Sequence, residues 1–336
     1  MLPHLNNELF NEDALVRTKA YAPTMNETVV PYLRKNGQIH HITAYDETPI
    51  TAVSWNAEDP RGTVVIVHGF TENAFKFSEL IFSLLASHFS VVSMDQRGHG
   101  HSWRDPGIKN ASVTHVNHFS DYVRDLKSVT DQLLPGMPKP WMVFAHSMGG
   151  AVVSFFLEQH PEVFSRGVLC APMIAPNLSG LPPRLASAIC TTGRGLLRGK
   201  KNPFFMKPYA GPEDFATSAA ASRERFDWYD AIKAAHREYQ NSCPSYNWIQ
   251  ESLRVTENLL APGAPESIVC PLRLYSAETD FSVLREPQQA FIARVPRGAW
   301  KLIPGSRHEI YRSPDDVLFP WWHEILSFFA GEEDPA

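Results

Sequence analysis

The residues best placed to do chemistry lie in the segment WMVFAHSMGG, at residues 141–150. An apolar run typical of a buried strand ends just before Ser147, and a helical pattern follows it, which is the setting of a nucleophile elbow. Gly149 and Gly150 supply the small residues that so sharp a turn requires, and Ala145 stands where the general G-x-S-x-G pattern has its first glycine. The pattern predicts that Ser147 is a nucleophile that forms a covalent intermediate.

A serine nucleophile needs a base, and in this setting the chain order is serine, acid, histidine. Of the fourteen histidines, His308 lies in a loop directly after a late apolar run at 299–303. His323 falls inside a predicted final helix, which indicates a packing or surface role. We interpret His146 as a structural strand-end residue because its side chain should point away from Ser147. We therefore expect His308 to be the base.

The acid that orients the base must follow the apolar run at 271–276, in the loop AETDFS. Asp280 is placed where a short carboxylate can hold the imidazole in the correct tautomer. Glu278 lies two residues nearer the strand and is the alternative, because glutamate also serves in this role. We favour Asp280.

Two further loops complete the expected site. His68, Gly69 and Phe70 follow the apolar run at 63–67, where this arrangement supplies one oxyanion donor. The backbone N–H groups of Phe70 and Met148 are the expected oxyanion hole. In the loop DQRGHGHS at 95–102, Asp95 and Arg97 are interpreted as structural residues that fix the loop by charge-assisted hydrogen bonds.

Short apolar runs and helical patterns alternate from about residue 60 onward, which predicts an α/β fold with a mostly parallel, doubly wound sheet. The predicted strands are 40–44, 50–55, 63–67, 89–94, 141–145, 167–170, 271–276 and 299–303, the first two as an antiparallel pair, and the predicted helices of this core are 78–88, 121–134 and 315–329.

The alternation stops in the region 173–268, where the chain becomes helical. Its clearest predicted helix covers 215–239, because apolar residues recur there at spacings of three and four. We predict a core formed by 1–172 and 269–336 and interrupted by a helical cap at 173–268.

Composition excludes several classes of protein. The net charge is −5, whereas nucleic-acid binders usually carry a basic surface, so this class is disfavoured. The four cysteines show no C-x-x-C spacing and are expected to be free, mostly buried thiols. Neither a signal peptide nor an apolar run of about 18 residues is visible. We expect a soluble, cytoplasmic protein that is at most peripheral on the inner membrane.

Four segments resemble the bacterial lysophospholipase and monoacylglycerol-lipase group of the α/β-hydrolase superfamily: AHSMGG at 145–150, HGF at 68–70, DQRGHGHS at 95–102 and HVNHFSDYVRDL at 115–126. The segment YNWIQES at 246–252 is similar to one that follows the lid in those enzymes. The stretch at 115–126 and the alanine before His146 favour the lysophospholipases within this group.

The resemblance implies an α/β-hydrolase fold, a cap over the site and cleavage of an ester with one long acyl chain, without a metal or cofactor. The acid position varies within the group, so Glu278 stays open. By this resemblance the catalytic triad is Ser147, Asp280 and His308, and the oxyanion donors are Phe70 and Met148.

The sequence also permits two other hydrolytic activities and one non-catalytic role. One alternative is a broad-specificity carboxylesterase, and another is a serine peptidase that removes N-terminal residues, as proline iminopeptidases do. The peptidase would need an acidic cap residue for the substrate amine, for which the candidates are Glu213, Asp214, Glu224 and Asp227. A catalytically silent binding protein is disfavoured because all three triad positions are filled.

A cationic stretch in the cap permits two interpretations. Arg194, Arg198, Lys200 and Lys201 precede the apolar segment PFFM at 203–206. The segment is either a solvated loop whose aromatic residues pack beneath the cap, or a peripheral membrane contact in which the cations face anionic lipid.

Overall fold

The computed structural model describes residues 14–178, 180–204 and 206–332, except for the side chains of residues 197 and 198. The strands are β1 (Gln38–Thr43), β2 (Pro49–Trp55), β3 (Gly62–Val67), β4 (Phe89–Met94), β5 (Val113–Thr114), β6 (Trp141–His146), β7 (Arg166–Cys170), β8 (Cys243–Pro244), β9 (Leu272–Thr279) and β10 (Gly298–Arg307). Eight of them form one sheet with the order β1-β2-β4-β3-β6-β7-β9-β10, and β5 pairs with β8. In the large sheet β2 is antiparallel to β1 and to β4, and the other neighbours are parallel.

The parallel centre of this sheet is buried on both faces. Every residue of β3 and β4 is buried, as expected of Val- and Ile-rich strands with helices on both sides. Along β6 the side chains alternate, with Met142 and Phe144 in one hydrophobic cluster and Val143 and Ala145 in the other. The doubly wound α/β architecture and the antiparallel opening pair are as predicted.

Helices cover both faces of the sheet. Those packed on the face of Phe144 include the N-terminal helices and the C-terminal helix, whose Trp321 ring centroid lies 6.2 Å from that of Phe144. The helices are α1 (Tyr21–Thr24), α2 (Val30–Asn36), α3 (Ser78–Ala86), α4 (Ser120–Leu133), α5 (Met148–Gln159), α6 (Pro183–Gly193), α7 (Arg223–Ala235), α8 (Tyr246–Leu259), α9 (Arg285–Ile292) and α10 (Asp315–Ala330).

The register of the sheet brings the chemically important loops to one edge. Val67 lies beside Ala145 and Met94 in adjacent parallel strands, so the loops after β3, β4 and β6 leave the sheet together. β9 and β10 extend beyond the predicted runs, and their last register pair joins Thr279 to Arg307. Consequently the two following residues, the expected acid and base, leave neighbouring strand ends.

The predicted helix over 215–239 is wrong in extent. The structure has a 3₁₀ turn at Phe215–Thr217, then α7, then a second 3₁₀ turn at Arg237–Tyr239. Helix α7 begins where the Ser222 side chain accepts a hydrogen bond from the Arg225 backbone N–H, a typical N-cap. The three- and four-residue spacing of apolar residues extends beyond both ends of α7, because aromatic residues of the two flanking turns are also packed although they are not in the helix.

A buried arginine joins α7 to the rest of the molecule. The Arg225 side chain is 0% exposed, and its guanidinium donates to the Glu79 carboxylate at 2.7 and 2.9 Å and to Asp315 at 2.9 Å. It also donates to the backbone carbonyls of Val16 and Ser313. One side chain therefore connects α7 with α3, α10 and the N-terminal segment.

All four cysteines are free and buried, as predicted. Within the part of the chain that the structure describes, no helix is long and apolar enough to cross a membrane.

Candidate active site

Ser147 occupies a strained turn between β6 and α5. Its φ of 52° is positive, which is unusual for a residue other than glycine and costs on the order of 1–3 kcal/mol. Its carbonyl accepts hydrogen bonds from the N–H groups of Gly150 at 2.9 Å and Met173 at 2.8 Å, which hold the turn. A Cβ on Gly149 would lie 2.2 Å from the Val67 carbonyl oxygen, so only glycine fits there.

His308 lies between Ser147 and Asp280. Its Nε2 is 2.9 Å from the Ser147 Oγ, and its Nδ1 is 2.7 Å from Asp280 Oδ2. The other carboxylate oxygen of Asp280 accepts from the backbone N–H groups of Ser282 at 2.8 Å and Val283 at 3.0 Å, which fixes the carboxylate. The structure thus brings together the three side chains that the sequence singled out.

The alternative residues lie elsewhere. Glu278 is exposed and accepts a hydrogen bond from the Gly305 N–H at 2.9 Å, with no hydrogen bond to His308 among the contacts of the described residues. His323 is exposed on α10.

The electrostatics of this group suit proton transfer from the serine. Burial works against both charged forms, but the His308 contact holds the pKa of Asp280 below its usual value. Burial alone would lower the pKa of His308. The nearby Asp280 carboxylate outweighs this effect and raises the pKa of His308. When neutral His308 donates its Nδ1 proton to Asp280, the Nε2 lone pair faces the Ser147 hydroxyl and can accept its proton.

Two backbone N–H groups lie near Ser147, those of Phe70 and Met148. Within the described ranges, neither the Phe70 nor the Met148 N–H donates a hydrogen bond to the protein. A Cβ built on Gly69 would lie 3.0 Å from the Ser147 Cβ, so the loop before Phe70 packs directly against the serine. Unpaired donors at this position can bind a developing oxyanion.

A buried charged network beside the serine was missed by the sequence analysis. The Glu72 carboxylate accepts from the Gly69 N–H at 2.5 Å, from His146 Nδ1 at 2.7 Å and from the Tyr311 hydroxyl. Burial alone would raise the pKa of Glu72, but its contacts with His146 and Lys76 hold this pKa well below its usual value. The sequence carried no signal beyond the position of Glu72 three residues after Gly69.

This network also reaches the base. His146 Nε2 lies 3.1 Å from the backbone carbonyl oxygen of His308. Lys76 Nζ lies 2.5 Å from Glu309, and Glu309 pairs with Arg312 at 2.5 Å, so the residue that follows His308 is held by two ion pairs. The structural role predicted for His146 agrees with these contacts.

The loop after β4 is fixed by charge-assisted hydrogen bonds, as predicted. The Asp95 carboxylate accepts from the N–H groups of Ala74 at 2.7 Å and His101 at 2.8 Å. The Arg97 guanidinium makes two hydrogen bonds of 2.6 Å to Asp125 on α4. The loop at 95–102 is thereby joined to the stretch at 115–126.

A cavity of about 610 Å³ opens onto Ser147 and His308. This volume lies within the range of about 300–1,000 Å³ typical of small-molecule sites. Among the described residues its lining contains no lysine or arginine, and most of the side chains are apolar. The apolar part of the lining includes Met173, Leu178, Leu181, Ile189, Trp248, Ile249 and Val283.

The described ranges contain no group of three His, Cys, Asp or Glu side chains close enough to hold a metal ion. The groups gathered at the site are a serine hydroxyl, an imidazole, a carboxylate and backbone N–H groups. Such an arrangement on a mostly parallel sheet defines a serine hydrolase of the α/β-hydrolase class.

The chain belongs to the serine aminopeptidase S33 family, whose model matches residues 58–315. It is 29% identical over 343 residues to lysophospholipase L2 of Escherichia coli strain K12, covering 97% of this chain and 96% of that protein. It is 30% identical over 262 residues to monoacylglycerol lipase of Mycolicibacterium smegmatis, covering 77% of this chain and 85% of that protein. The resemblance to the lysophospholipase and monoacylglycerol-lipase group is confirmed.

Solved structures share the fold. A soluble variant of monoglyceride lipase from Saccharomyces cerevisiae matches with a TM-score of 0.68 at 18% identity, covering 88% of this chain and 95% of the other. A thermostable carboxyl esterase from Bacillus coagulans matches with a TM-score of 0.67 at 18% identity, covering 88% and 98%. At this identity the likeness is one of fold.

Proposed function

We propose that this protein hydrolyses the ester of a single-acyl lipid, either a lysophospholipid or a monoacylglycerol. The observation that carries the proposal is the mostly apolar cavity that opens onto the Ser147 hydroxyl, because one long acyl chain can bury its apolar surface there. The relatives named lysophospholipase L2 and monoacylglycerol lipase support the same class of substrate.

In the proposed reaction the Ser147 Oγ attacks the acyl carbonyl carbon while His308 Nε2 takes the hydroxyl proton. Asp280 stabilises the resulting imidazolium, and the Phe70 and Met148 N–H groups bind the oxyanion. The C–O bond to the glycerol moiety then breaks, and His308 returns the proton to the leaving alkoxide. Water, activated by His308, attacks the acyl-enzyme and releases the fatty acid and Ser147.

We further propose that residues 173–268 form a cap on a core made of 1–172 and 269–336. Three observations support this division: α6, α7 and α8 all lie in the proposed cap; Ile189, Trp248 and Ile249 from it line the cavity; and the core strands resume at β9. The cap then supplies most of the apolar wall for the acyl chain.

The peptidase alternative has less support from the cavity. The four acidic residues considered for binding an amine are all exposed and are absent from its described lining. Glu213 pairs with Lys233 and Asp227 with Arg223. The lining does include Glu72 and Glu309, but their carboxylates already bind cations of the buried network. A substrate ammonium would have to displace those partners.

The proposal includes a transient contact of the cap with a lipid surface. Leu185, Leu196, Phe204 and Met206 are exposed, Phe204 to 90%, and Met206 also lines the cavity. An apolar patch next to the cavity would let a lipid with one acyl chain enter directly from a bilayer. The proposed partner of this patch is a lipid bilayer.

The predicted cation cluster contributes less to that contact than the sequence suggested. Lys200 forms an ion pair of 2.8 Å with Asp105, and Arg194 lines a separate polar cleft with Asp121. Phe205 and the side chain of Arg198 lie outside the described residues. The proposed contact therefore depends mainly on the apolar patch, and high salt should weaken it only modestly.

A substrate panel tests the activity. The purified protein and Ser147→Ala are incubated with monooleoylglycerol, lysophosphatidylcholine, a diacyl phospholipid and an alanyl arylamide, and the released fatty acid or amine is measured. We expect fatty acid from the single-acyl lipids, little from the diacyl lipid, and none from the variant. Arylamide cleavage without lipid hydrolysis would overturn the proposal in favour of a peptidase.

Vesicle co-sedimentation tests the lipid contact. Wild type is compared with Phe204→Ser and with Ile39→Ser, a control that removes an exposed apolar side chain on β1. We expect Phe204→Ser alone to lose binding to zwitterionic vesicles. Equal binding of all three proteins would show that the patch does not contact lipid.

A further inference from the structure

The hydrogen bonds of His68 fix which of its nitrogens carries the proton. The side chain is buried, at 0% exposure, directly after β3. Its Nε2 accepts a hydrogen bond of 2.9 Å from the Gln96 backbone N–H, and a backbone amide can only donate. Nε2 is therefore unprotonated, and the proton is on Nδ1, which lies 2.7 Å from the Gly69 carbonyl oxygen. Burial also lowers the pKa of His68, in agreement with a neutral ring.

This contact sets the direction of the next N–H group. The Gly69 carbonyl and the Phe70 N–H belong to one planar trans peptide, so they point in opposite directions. A carbonyl held by His68 on one side leaves the Phe70 N–H directed to the other. That N–H has no acceptor among the described residues, and the Gly69 backbone packs against Ser147.

The same loop holds the following peptide. His99 Nε2 lies 2.5 Å from the Phe70 carbonyl oxygen, and its Nδ1 lies 3.0 Å from the Arg97 carbonyl oxygen. Burial, with a smaller effect of His68, lowers the pKa of His99 to about 3, so the ring is neutral and donates from one nitrogen. The shorter contact assigns that proton to Nε2. The Gln96 side chain adds a hydrogen bond of 2.5 Å to the His68 carbonyl.

We propose that His68 is a positioning residue for the oxyanion hole: its Nδ1–H, in the tautomer imposed by the Gln96 backbone, holds the Gly69 carbonyl and so aims the Phe70 N–H at the substrate oxyanion. The loop after β4, which otherwise has only a structural role, acts on the chemistry through this tautomer. The inference rests on the proposed function, in which the Phe70 N–H is an oxyanion donor.

Two substitutions test the contributions of the two ring nitrogens of His68 separately. In His68→Asn the side-chain amide nitrogen takes the place of Nδ1 and keeps a donor for the Gly69 carbonyl, but the acceptor for the Gln96 N–H is lost. In His68→Gln the amide reaches the position of Nε2 and keeps that acceptor, but the donor to Gly69 is lost. Each variant removes one buried hydrogen bond, so we expect similar losses of thermal stability.

Activity should distinguish them. Removing one oxyanion donor lowers kcat about 10²- to 10³-fold, because the interaction strengthens in the transition state. We expect a loss of this size in His68→Gln, with KM changed less than about threefold, and a loss below about tenfold in His68→Asn. His88→Gln is the matched control: His88 is also buried with Nδ1 on a carbonyl oxygen, that of Glu58 at 2.9 Å. Its kcat should equal that of the wild type.

A p-nitrophenyl ester and its thionoester provide a second readout. A thiocarbonyl sulfur accepts hydrogen bonds poorly, so the preference of an enzyme for the ester reports its oxyanion hole. We expect the ester preference to shrink in His68→Gln and to persist in His68→Asn. Equal losses of kcat in the two variants, or an unchanged ester preference in His68→Gln, would overturn the inference. Failure of the wild type on single-acyl lipids, with Ser147-dependent cleavage of the p-nitrophenyl ester, would instead overturn only the proposed substrate.

Discussion

Replacing Asp280 by asparagine changes the tautomer of His308 without removing the hydrogen bonds that hold the loop. The asparagine oxygen can keep both backbone N–H donors now bound at Oδ1, while its amide nitrogen takes the place of Oδ2, 2.7 Å from His308 Nδ1. Because that nitrogen donates, Nδ1 must accept, and the ring proton moves to Nε2, facing Ser147. The base then lacks a lone pair for the serine proton. In serine triads this change lowers kcat about 10⁴-fold, or about 5.4 kcal/mol at about 1.36 kcal/mol per decade.

Steady-state ester hydrolysis with Asp280→Asn and Glu278→Gln measures this effect. The Glu278 side chain is exposed, and among the described residues its carboxylate accepts a hydrogen bond only from the Gly305 N–H, so its variant should retain kcat within about twofold. Thermal denaturation should give similar midpoints for both. A larger loss of activity in Glu278→Gln than in Asp280→Asn would transfer the role of the acid to Glu278.

The pH profile gives an independent check of the same pair. The proposed reaction needs neutral His308, so activity is expected to fall as pH drops through the pKa of His308. Burial lowers this pKa, but the charge of Asp280 more than compensates and raises it above the usual value of 6.5. We expect the acidic limb of kcat/KM for the wild type to lie above pH 6.5, and that of Asp280→Asn to shift to lower pH. A shift to higher pH would contradict the assigned contact.

Three other predictions concern the elbow and the packing. Ser147→Ala and His308→Ala should each lower kcat by several orders of magnitude, and the double variant should be no worse, since additive losses would show that the two side chains act separately. Arg225→Met should lower the free energy of unfolding by about 3–5 kcal/mol, because it removes the ion pairs to the partly buried Glu79 and Asp315 and leaves two buried backbone carbonyls without their donor. Arg223→Met, at an exposed ion pair of the same helix, should cost under about 1 kcal/mol, and equal midpoints in urea would refute this. Gly149→Ala should fold poorly, because its Cβ would lie 2.2 Å from a backbone oxygen, and a wild-type melting temperature would contradict the tight turn.

Much of the fold was accessible from the sequence because its signals are local. The strand at Phe89–Met94 was predicted at its observed bounds, because polar residues on both sides of a short, mostly apolar run mark where the strand begins and ends. The elbow at Ser147 was found from the strand before it and the glycines after it. Periodicity alone failed over 215–239, because helix limits there depend on the cap at Ser222 and on hydrogen bonds made by the turns.

The parts of the site that the sequence did not reveal depend on contacts between distant segments. Glu72 and Tyr311 are separated by 239 positions yet share a buried hydrogen bond. Asp280 and Glu278 both lie in the predicted loop, but in the structure Glu278 is still part of β9 and binds the Gly305 N–H, whereas Asp280 follows the strand and contacts His308. The tautomer of His68 likewise depends on Gln96, 28 positions away.

The stretch before α7 has a consequence for engineering. The Arg307 guanidinium donates to the carbonyls of Phe215, Ser218 and Ala220, and the Glu309 N–H donates to the Ala219 carbonyl. Both neighbours of the histidine in the sequence are therefore anchored to residues about ninety positions earlier. A chimera that exchanged the whole region between β7 and β9 for that of a relative would also exchange these acceptors. To preserve the alignment of the histidine, the graft should leave this short stretch native and exchange only the helices on either side.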